Sequence, residues 1–546
     1  MISLEFRKQL NDLFTNSKIK NLLFYEGVSL WWFHEIELCR IIDSYINNKK
    51  KKNIKKKACI TIFEYIYNIN KLFIRSIISK IIVSKKVESI KDNNILAISY
   101  TSYWKFYSTS NKGNIKLKQD AMLGDIINNL VYRNFNVIGV DYDTSNFLDL
   151  KSIIEKNNAK NKIWKPIEFY LTIDIIKKVL KTSKKLKKDW NKLIRDNELN
   201  IQLIYKGIDL SKHISEYLNK NLKYSIFFPI IYIELMKKAI EIEKPDLILI
   251  TCSYSLLGRA SIIAGKINKV PTLEIQHGVI HPLHYGYIYP KTTNFSKHNS
   301  KNIYYPIPDK TAVYGKYHNE LLTENSIYSN DEIVVTGQPR YDFFYNIEKV
   351  YSKQEFVKKN KINPNNKIVL WAAVFQGIPI NDDIRDIKAL FSAFERMKGV
   401  TLIIKPHPWD SKVYIELIEK LKSDYNLNIL LMPNNSDTFE LLYICDLLIT
   451  RNSTVGMEAV ALGKPIVVLD LDKKRRISGL DYVEDGIALG IYSDKNIQEI
   501  ISYLLTNDLD LAKNREGYIK KYLYKVDGNA SYRIFKLIKS MIDENN

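Results

Sequence analysis

The sequence predicts an α/β protein built as two doubly wound parallel-sheet domains facing a cleft, with a helical N-terminal extension. Two observations carry this. Short β-branched runs recur along the chain with helical stretches between them, the alternation that produces a parallel sheet. The later runs are almost continuously apolar, as strands covered on both faces should be. At 546 residues the chain also exceeds what one ordinary core can organise, so two domains are expected.

Taken in order, residues 1–90 read as the helical extension, interrupted by a lysine run. The texture changes at Ile95, where ILAISY (95–100), NVIGVDY (136–142), DLILIT (246–251) and TLEIQH (272–277) read as strands. The apolar stretch Tyr217–Glu243 is helical between them. A polar, proline-bearing linker is expected between Pro290 and Asp309. Beyond it come TAVYG (311–315), EIVVTG (332–337), KIVLWAA (367–373), TLIIKPH (401–407), NILLMP (428–433), DLLIT (446–450) and PIVVLD (465–470). The expected divisions are therefore 1–90, 91–300 and 301–546, the last two Rossmann-like.

Composition narrows the class. The four cysteines, Cys39, Cys59, Cys252 and Cys445, have no ligand spacing and read as core residues of a reduced, cytoplasmic protein. The N-terminus lacks a signal-peptide apolar region, and no apolar run approaches 18 residues. Net charge is +22, with lysines clustered at Lys49–Lys52, Lys55–Lys57 and Lys184, Lys185, Lys187 and Lys188. Such clusters attract anionic head groups at about 1 kcal/mol per charge. A solvated lysine-rich surface is the alternative, and an anionic membrane surface is a candidate partner. No nucleic-acid-binding module accompanies the charge, so no nucleic acid is expected.

Four polar clusters close strands. In Leu447–Leu469, a strand passes through Ser453, Thr454 and Gly456 into a helix, and a helix start offers unpaired N–H groups to phosphate. Ser and Thr are also ordinary helix caps. Glu458, two residues after Gly456, is placed to accept ribose hydroxyls. In EIQHGVIHPLH (274–284), His277 ends a strand before Gly278 and reads as a general base, a phosphate contact or a structural histidine. His281 and His284 complete a histidine trio without a metal-binding pattern, so no metal is expected. In VTGQPRYD (335–342), Arg340 leaves the turn either to clamp a phosphate or to pair with Asp342. In KPHP (405–408), Lys405 and His407 emerge beside a cleft with prolines stiffening the loop. A fifth stretch, FYEGVSLWWF (24–33), offers Glu26 beside a tryptophan pair, either as an acceptor site or as core. Neither a dinucleotide fingerprint nor a Walker A sequence is present.

The order HG loop, TGxPRxD, KxHP and a Ser/Thr turn with a helical glutamate resembles the GT-B glycosyltransferase superfamily over residues 245–475. It is most similar to bacterial capsule and surface-polysaccharide transferases of the Kdo- and sialyl-transferring groups, and also to CDP-glycerol glycerophosphotransferases. The resemblance implies donor phosphate at His407, Ser453 and Thr454, ribose near Glu458, and His277 in the HG loop. It implies a catalytic carboxylate from a (D/E)-(D/E)-G motif, matched here by Tyr25-Glu26-Gly27 with a departure at the first position. Glycerophosphotransferases carry Asp-Tyr-Ser-Ser where this chain has Arg451-Asn452-Ser453-Thr454, which favours sugar transfer over glycerophosphate transfer.

The expected function is a metal-independent glycosyltransferase. It would move a sugar from a nucleotide-sugar donor to a surface polysaccharide or lipid-linked glycan, as in capsule or lipopolysaccharide biosynthesis. His277 and Glu26 are the expected catalytic residues, and Arg340, Lys405, His407, Ser453, Thr454, Gly456 and Glu458 the expected donor site. No cofactor is expected beyond the donor itself. The expected location is cytoplasmic, peripheral to the inner membrane face. Three alternatives stay open: a CDP-glycerol glycerophosphotransferase-like polymerase, a UDP-sugar 2-epimerase-like enzyme, and a non-catalytic scaffold of an assembly complex.

Overall fold

Every β-branched run read from the sequence forms a strand, and each of the two large sheets gains one shorter strand that no run announced. The structure is a computed structural model describing residues 2–16, 23–48, 62–83, 93–108, 116–145, 148–157, 163–195, 203–224, 226–290, 306–373, 380–407, 412–425, 427, 429–451, 453–471 and 480–545. The first lysine run, Cys59, Pro408 and Asn452 lie outside these residues, as does most of the expected linker.

The first sheet contains β1 (Asn94–Tyr100), β2 (Asn136–Tyr142), β3 (Ile163–Pro166), β4 (Leu247–Ile250), β5 (Thr272–Ile275), β6 (Lys310–Val313) and β7 (Ile333–Val335). Its spatial order is β7-β6-β5-β4-β1-β2-β3, and every pairing is parallel. The second sheet contains β8 (Lys367–Ala372), β9 (Val400–Lys405), β10 (Ile429–Leu431), β11 (Leu447–Thr450), β12 (Ile466–Leu469) and β13 (Leu489–Ile491). Its order is β10-β9-β8-β11-β12-β13, again all parallel. Central strands such as β4 and β11 are buried along their whole length, which explains their unbroken apolar sequence. Among the described residues, then, the protein has two parallel α/β units, the GT-B arrangement the resemblance implied.

Three expectations about organisation need correction. β6 and β7 were assigned to the second domain, but they pair with β5, so the first sheet ends at Val335 rather than near residue 300. A short apolar strand says nothing about which sheet it joins; the pairing is decided by the neighbouring edge. Residues 1–90 are not a separate extension: Phe6, Leu10, Phe14 and Trp31 share one buried core with Leu96 and Ile98 of β1. The final helix, Ala530–Asp543, leaves the second unit and packs Ile534, Ile538 and Met541 against Ile95, Leu249 and Leu273 of the first sheet.

That return is tied down locally. Asp342 accepts hydrogen bonds from the Ala530 and Ser531 amides at 2.8 and 2.7 Å, satisfying two N–H groups at the helix start. Arg533 Nε donates to the Thr336 carbonyl at 2.7 Å. Asp342 is thus a helix cap, and Arg340, which the sequence left between a phosphate and Asp342, pairs with Glu458.

Candidate functional site

All strands of a parallel sheet end on one edge, so the loops after β4 and β5 emerge side by side. His277 stands two residues beyond β5, half-buried. Its Nε2 lies 3.2 Å from the Tyr254 hydroxyl and its Nδ1 3.4 Å from the Tyr287 hydroxyl. Tyr287 donates its own proton to Glu274 Oε1 at 2.9 Å, and the Ser253 amide donates to the same oxygen at 2.9 Å. Glu274 is fully buried, and burial pushes its carboxyl up to about 7 despite those donors. Burial also holds His277 down to about 4, so its imidazole is neutral at working pH. A neutral imidazole backed by a hydroxyl and a carboxylate can accept a proton.

Gly278 follows, and among the described residues a side chain there would meet nothing within 4 Å. It is absent from the positive-φ residues, so neither backbone conformation nor packing demands glycine; open space beside His277 is what the position provides. Val279 then packs against the core of the second unit. The loop is therefore the place where the two units meet.

The second half of the site is joined to the first through Tyr314. Its amide donates to Gln276 Oε1 at 2.8 Å, its ring belongs to the second unit's core, and Arg340 and Glu458 act on it electrostatically. Tyr103 feels Tyr314 in the same way and places its ring 6.0 Å from His277. Arg340 and Glu458 are 118 positions apart, yet Arg340 Nη2 lies 3.4 Å from Glu458 Oε1, and the guanidinium sits 5.2 Å over the Phe439 ring. Two independently predicted residues are thus brought together.

The turn from β11 to helix Val455–Ala461 holds the other predicted donor residues. Thr454 is exposed at the helix start, and its hydroxyl makes no capping bond. The Tyr482 hydroxyl donates to the Ser453 carbonyl at 2.6 Å. A Cβ on Gly456 would come within 2.4 Å of the Tyr482 ring, so this glycine exists to admit the tyrosine that holds the turn. Arg451 makes an ion pair with Asp386. At the end of β9, Lys405 is buried and donates to the Pro406 and Asn434 carbonyls at 3.3 Å each, while His407 is partly exposed. Lys405 therefore braces the loop that presents His407.

Glu26 falls elsewhere. It sits at φ 46° in the turn of a small hairpin and binds Lys178 and Lys237 at 2.6 Å each, beside Glu234. Partial burial pushes its carboxyl up, but the two ammonium groups outweigh that and lower it. None of these partners belongs to the His277 cluster. Trp31 and Trp32 are completely buried, Trp31 stacked on Phe14 at 3.8 Å, so the tryptophan pair is core and not an acceptor platform. His281 and His284 direct their Nδ1 atoms at the Leu283 and Gly286 amides, at 3.3 and 3.1 Å. Among the described residues no cluster is arranged to hold a metal ion.

Sequence reasoning missed Glu274, Tyr254 and Tyr287 as site residues. The signal was present for Glu274: a carboxylate inside an apolar strand is rarely tolerated without a partner. The tyrosines carry no such signal in a chain with 36 of them.

The chain is similar to several known proteins. The chain is 23% identical over 223 residues to the teichoic acid poly(ribitol-phosphate) polymerase of Bacillus spizizenii, covering 37% of this chain and 33% of that protein. It thus spans about a third of the length of the curated relative it matches. Among solved structures it is similar to a putative UDP-N-acetylglucosamine 2-epimerase from Listeria monocytogenes, with 17% identity, 83% of this chain and 97% of that chain covered, and a TM-score of 0.49. It is also similar to a variant of the wall teichoic acid polymerase TagF, with 12% identity, 88% and 97% coverage, and a TM-score of 0.44. The model of the family described as CDP-Glycerol:Poly(glycerophosphate) glycerophosphotransferase matches residues 232–540, more than half of the chain. The absence of Asp-Tyr-Ser-Ser is therefore a poor guide to the branch. The chain belongs to the CDP-glycerol:poly(glycerophosphate) glycerophosphotransferase family, the branch first held as an alternative.

Proposed function

We propose that this transferase moves a polyol phosphate from a CDP-activated donor to a hydroxyl on a growing cell-surface polymer carried on a lipid. The observation that carries the reading is His277, neutral, backed by Tyr287 and Glu274, opening on the unobstructed Gly278 where the two units meet. The family match supports the donor class.

The acceptor oxygen attacks the donor phosphorus that carries the polyol, and His277 Nε2 takes the hydroxyl proton, displacing Tyr254 from that nitrogen. A phosphodiester forms, the bond from that phosphorus to the bridging oxygen breaks, and cytidine monophosphate leaves with the electron pair. Ser453, Thr454 and His407 hold the departing phosphate, and fixed donors are most effective where charge accumulates. Arg340 steadies Glu458, which receives the ribose. Glu26 has no step in this scheme.

The test is donor-specific. Thermal shift with CDP-glycerol, CDP-ribitol, CMP- and UDP-sugars should show stabilisation by a cytidine diphosphate polyol, since a ligand of the native state must raise its midpoint. His277→Ala should retain that shift and lose turnover. Turnover of a nucleotide sugar instead would return the chain to sugar transfer.

A further inference from the structure

Tyr254 and Tyr287 commit their hydroxyls to the two ring nitrogens of His277. A third tyrosine stands against the same imidazole. Tyr103 is half-buried with its ring 6.0 Å from that of His277, and among the described residues its hydroxyl has no hydrogen-bond partner. Unlike the Tyr518 hydroxyl, it is not sealed from solvent. The ring is fixed from several sides. β1 ends at Tyr100, and a single tight turn, Thr101–Tyr103, closes it. The Ala121 amide donates to the Tyr103 carbonyl at 2.8 Å, at the base of the antiparallel ribbon formed by Trp104–Ser108 and Lys116–Asp120. The Tyr100 ring meets Tyr103 edge-on at 5.3 Å, and the Tyr100 hydroxyl lies 2.5 Å from that of Ser255. A phenol held this firmly loses little freedom when it meets a ligand.

The surroundings decide what that hydroxyl can meet. Tyr103 acts electrostatically on Tyr254, whose hydroxyl covers Nε2, the atom that takes the acceptor's proton. An acceptor oxygen that displaces Tyr254 there comes to lie beside Tyr103. Burial, and after it Cys252, Asp120, Tyr314 and Glu274, push the Tyr103 phenol far above its ordinary value, so it stays a neutral donor and acceptor. None of those four neighbours is cationic, and two carry carboxyl groups. Such surroundings disfavour a phosphate and suit a second hydroxyl.

We infer that Tyr103 sets acceptor specificity: its hydroxyl bonds the hydroxyl adjacent to the one that attacks, so the preferred acceptor is a polyol terminus with neighbouring hydroxyls. The inference rests on the transfer reading above and adds to it the chemical class of the acceptor. Tyr103 lies outside residues 232–540, so the family match does not assign it.

The experiment compares two short soluble acceptors that differ by one oxygen, one ending in glycerol phosphate and the other in 3-hydroxypropyl phosphate. Both are offered to the full chain with a saturating cytidine diphosphate polyol. The wild type should favour the glycerol ending in kcat/KM by about tenfold, the strength of one well-placed hydrogen bond. Tyr103→Phe keeps the ring and removes only the hydroxyl. It should use both acceptors alike, the loss falling as a rise in KM for the glycerol ending, while the donor-induced thermal shift is retained. The inference is overturned if the wild type does not discriminate. It is overturned equally if Tyr103→Phe loses the same factor on both acceptors and so still discriminates, as a merely structural ring would have it. Failure of the transfer reading looks different: the wild type then turns over neither acceptor and shows no thermal shift with the donor, and the inference falls with it.

Discussion

At the scale of single residues, the site depends on which nitrogen of His277 carries its proton. With Glu274 ionised, Tyr287 donates to the carboxylate and accepts from Nδ1–H, leaving the Nε2 lone pair to accept from the Tyr254 hydroxyl or from a substrate that displaces it. Once Glu274 is protonated, Tyr287 is free to donate to Nδ1 instead, and the lone pair at Nε2 is lost. Burial sets Glu274 near 7 and His277 near 4. The acid limb of kcat should therefore fall near pH 7, following the carboxyl and not the histidine. Glu274→Gln should lower kcat about a hundredfold and flatten that limb; a limb that persists in the variant refutes the relay. His277 and Arg340 were singled out from loops that follow strands, and Glu458 from the helix that follows one. Glu26 was chosen from a two-residue likeness, and the partners that neutralise it, Lys178 and Lys237, come from helices no local pattern connects to it.

At the scale of elements, the strands were readable because burial on both faces writes itself into composition. What could not be read was membership: β6 and β7 look like any other apolar run, and only edge pairing shows they close the first sheet. The turn at Ser453 makes a similar point, since its shape is held by Tyr482, 29 residues away. Gly456→Ala should push the Tyr482 ring aside, break its bond to the Ser453 carbonyl and weaken donor binding about tenfold, as measured by calorimetric titration. An unchanged affinity would separate the turn from the donor.

At the scale of the whole molecule, buried histidines contribute to the acid sensitivity of the fold. Among the described residues His318 has no hydrogen-bond partner on either ring nitrogen, and burial holds it down to about 3; His34 is held near 4 by burial and by the Arg259 charge. An unfolded chain protonates these groups near 6.5, which the folded chain refuses. Their stabilisation is complete above about pH 6.5 and is lost as pH falls toward 3 to 4, by at most about 1.4 kcal/mol per pH unit each. Glu274, raised, works the other way between 4.5 and 7 and offsets one histidine. The thermal midpoint should decline from pH 6.5 to 4.5, and His318→Phe should flatten the decline; an unaltered slope would show that other groups dominate.

The return of helix Ala530–Asp543 also has a mechanical meaning. The chain passes between the units twice, after β7 and again before Ala530, and Asp342 and Arg533 bind the two passages side by side. A single tether would let the units swing, twist and slide. Two tethers fastened together act like the pins of a door, leaving rotation about their common line and suppressing the rest. Any motion between the units is then confined to that line, and the loop that carries His277 keeps one reproducible relation to the second unit.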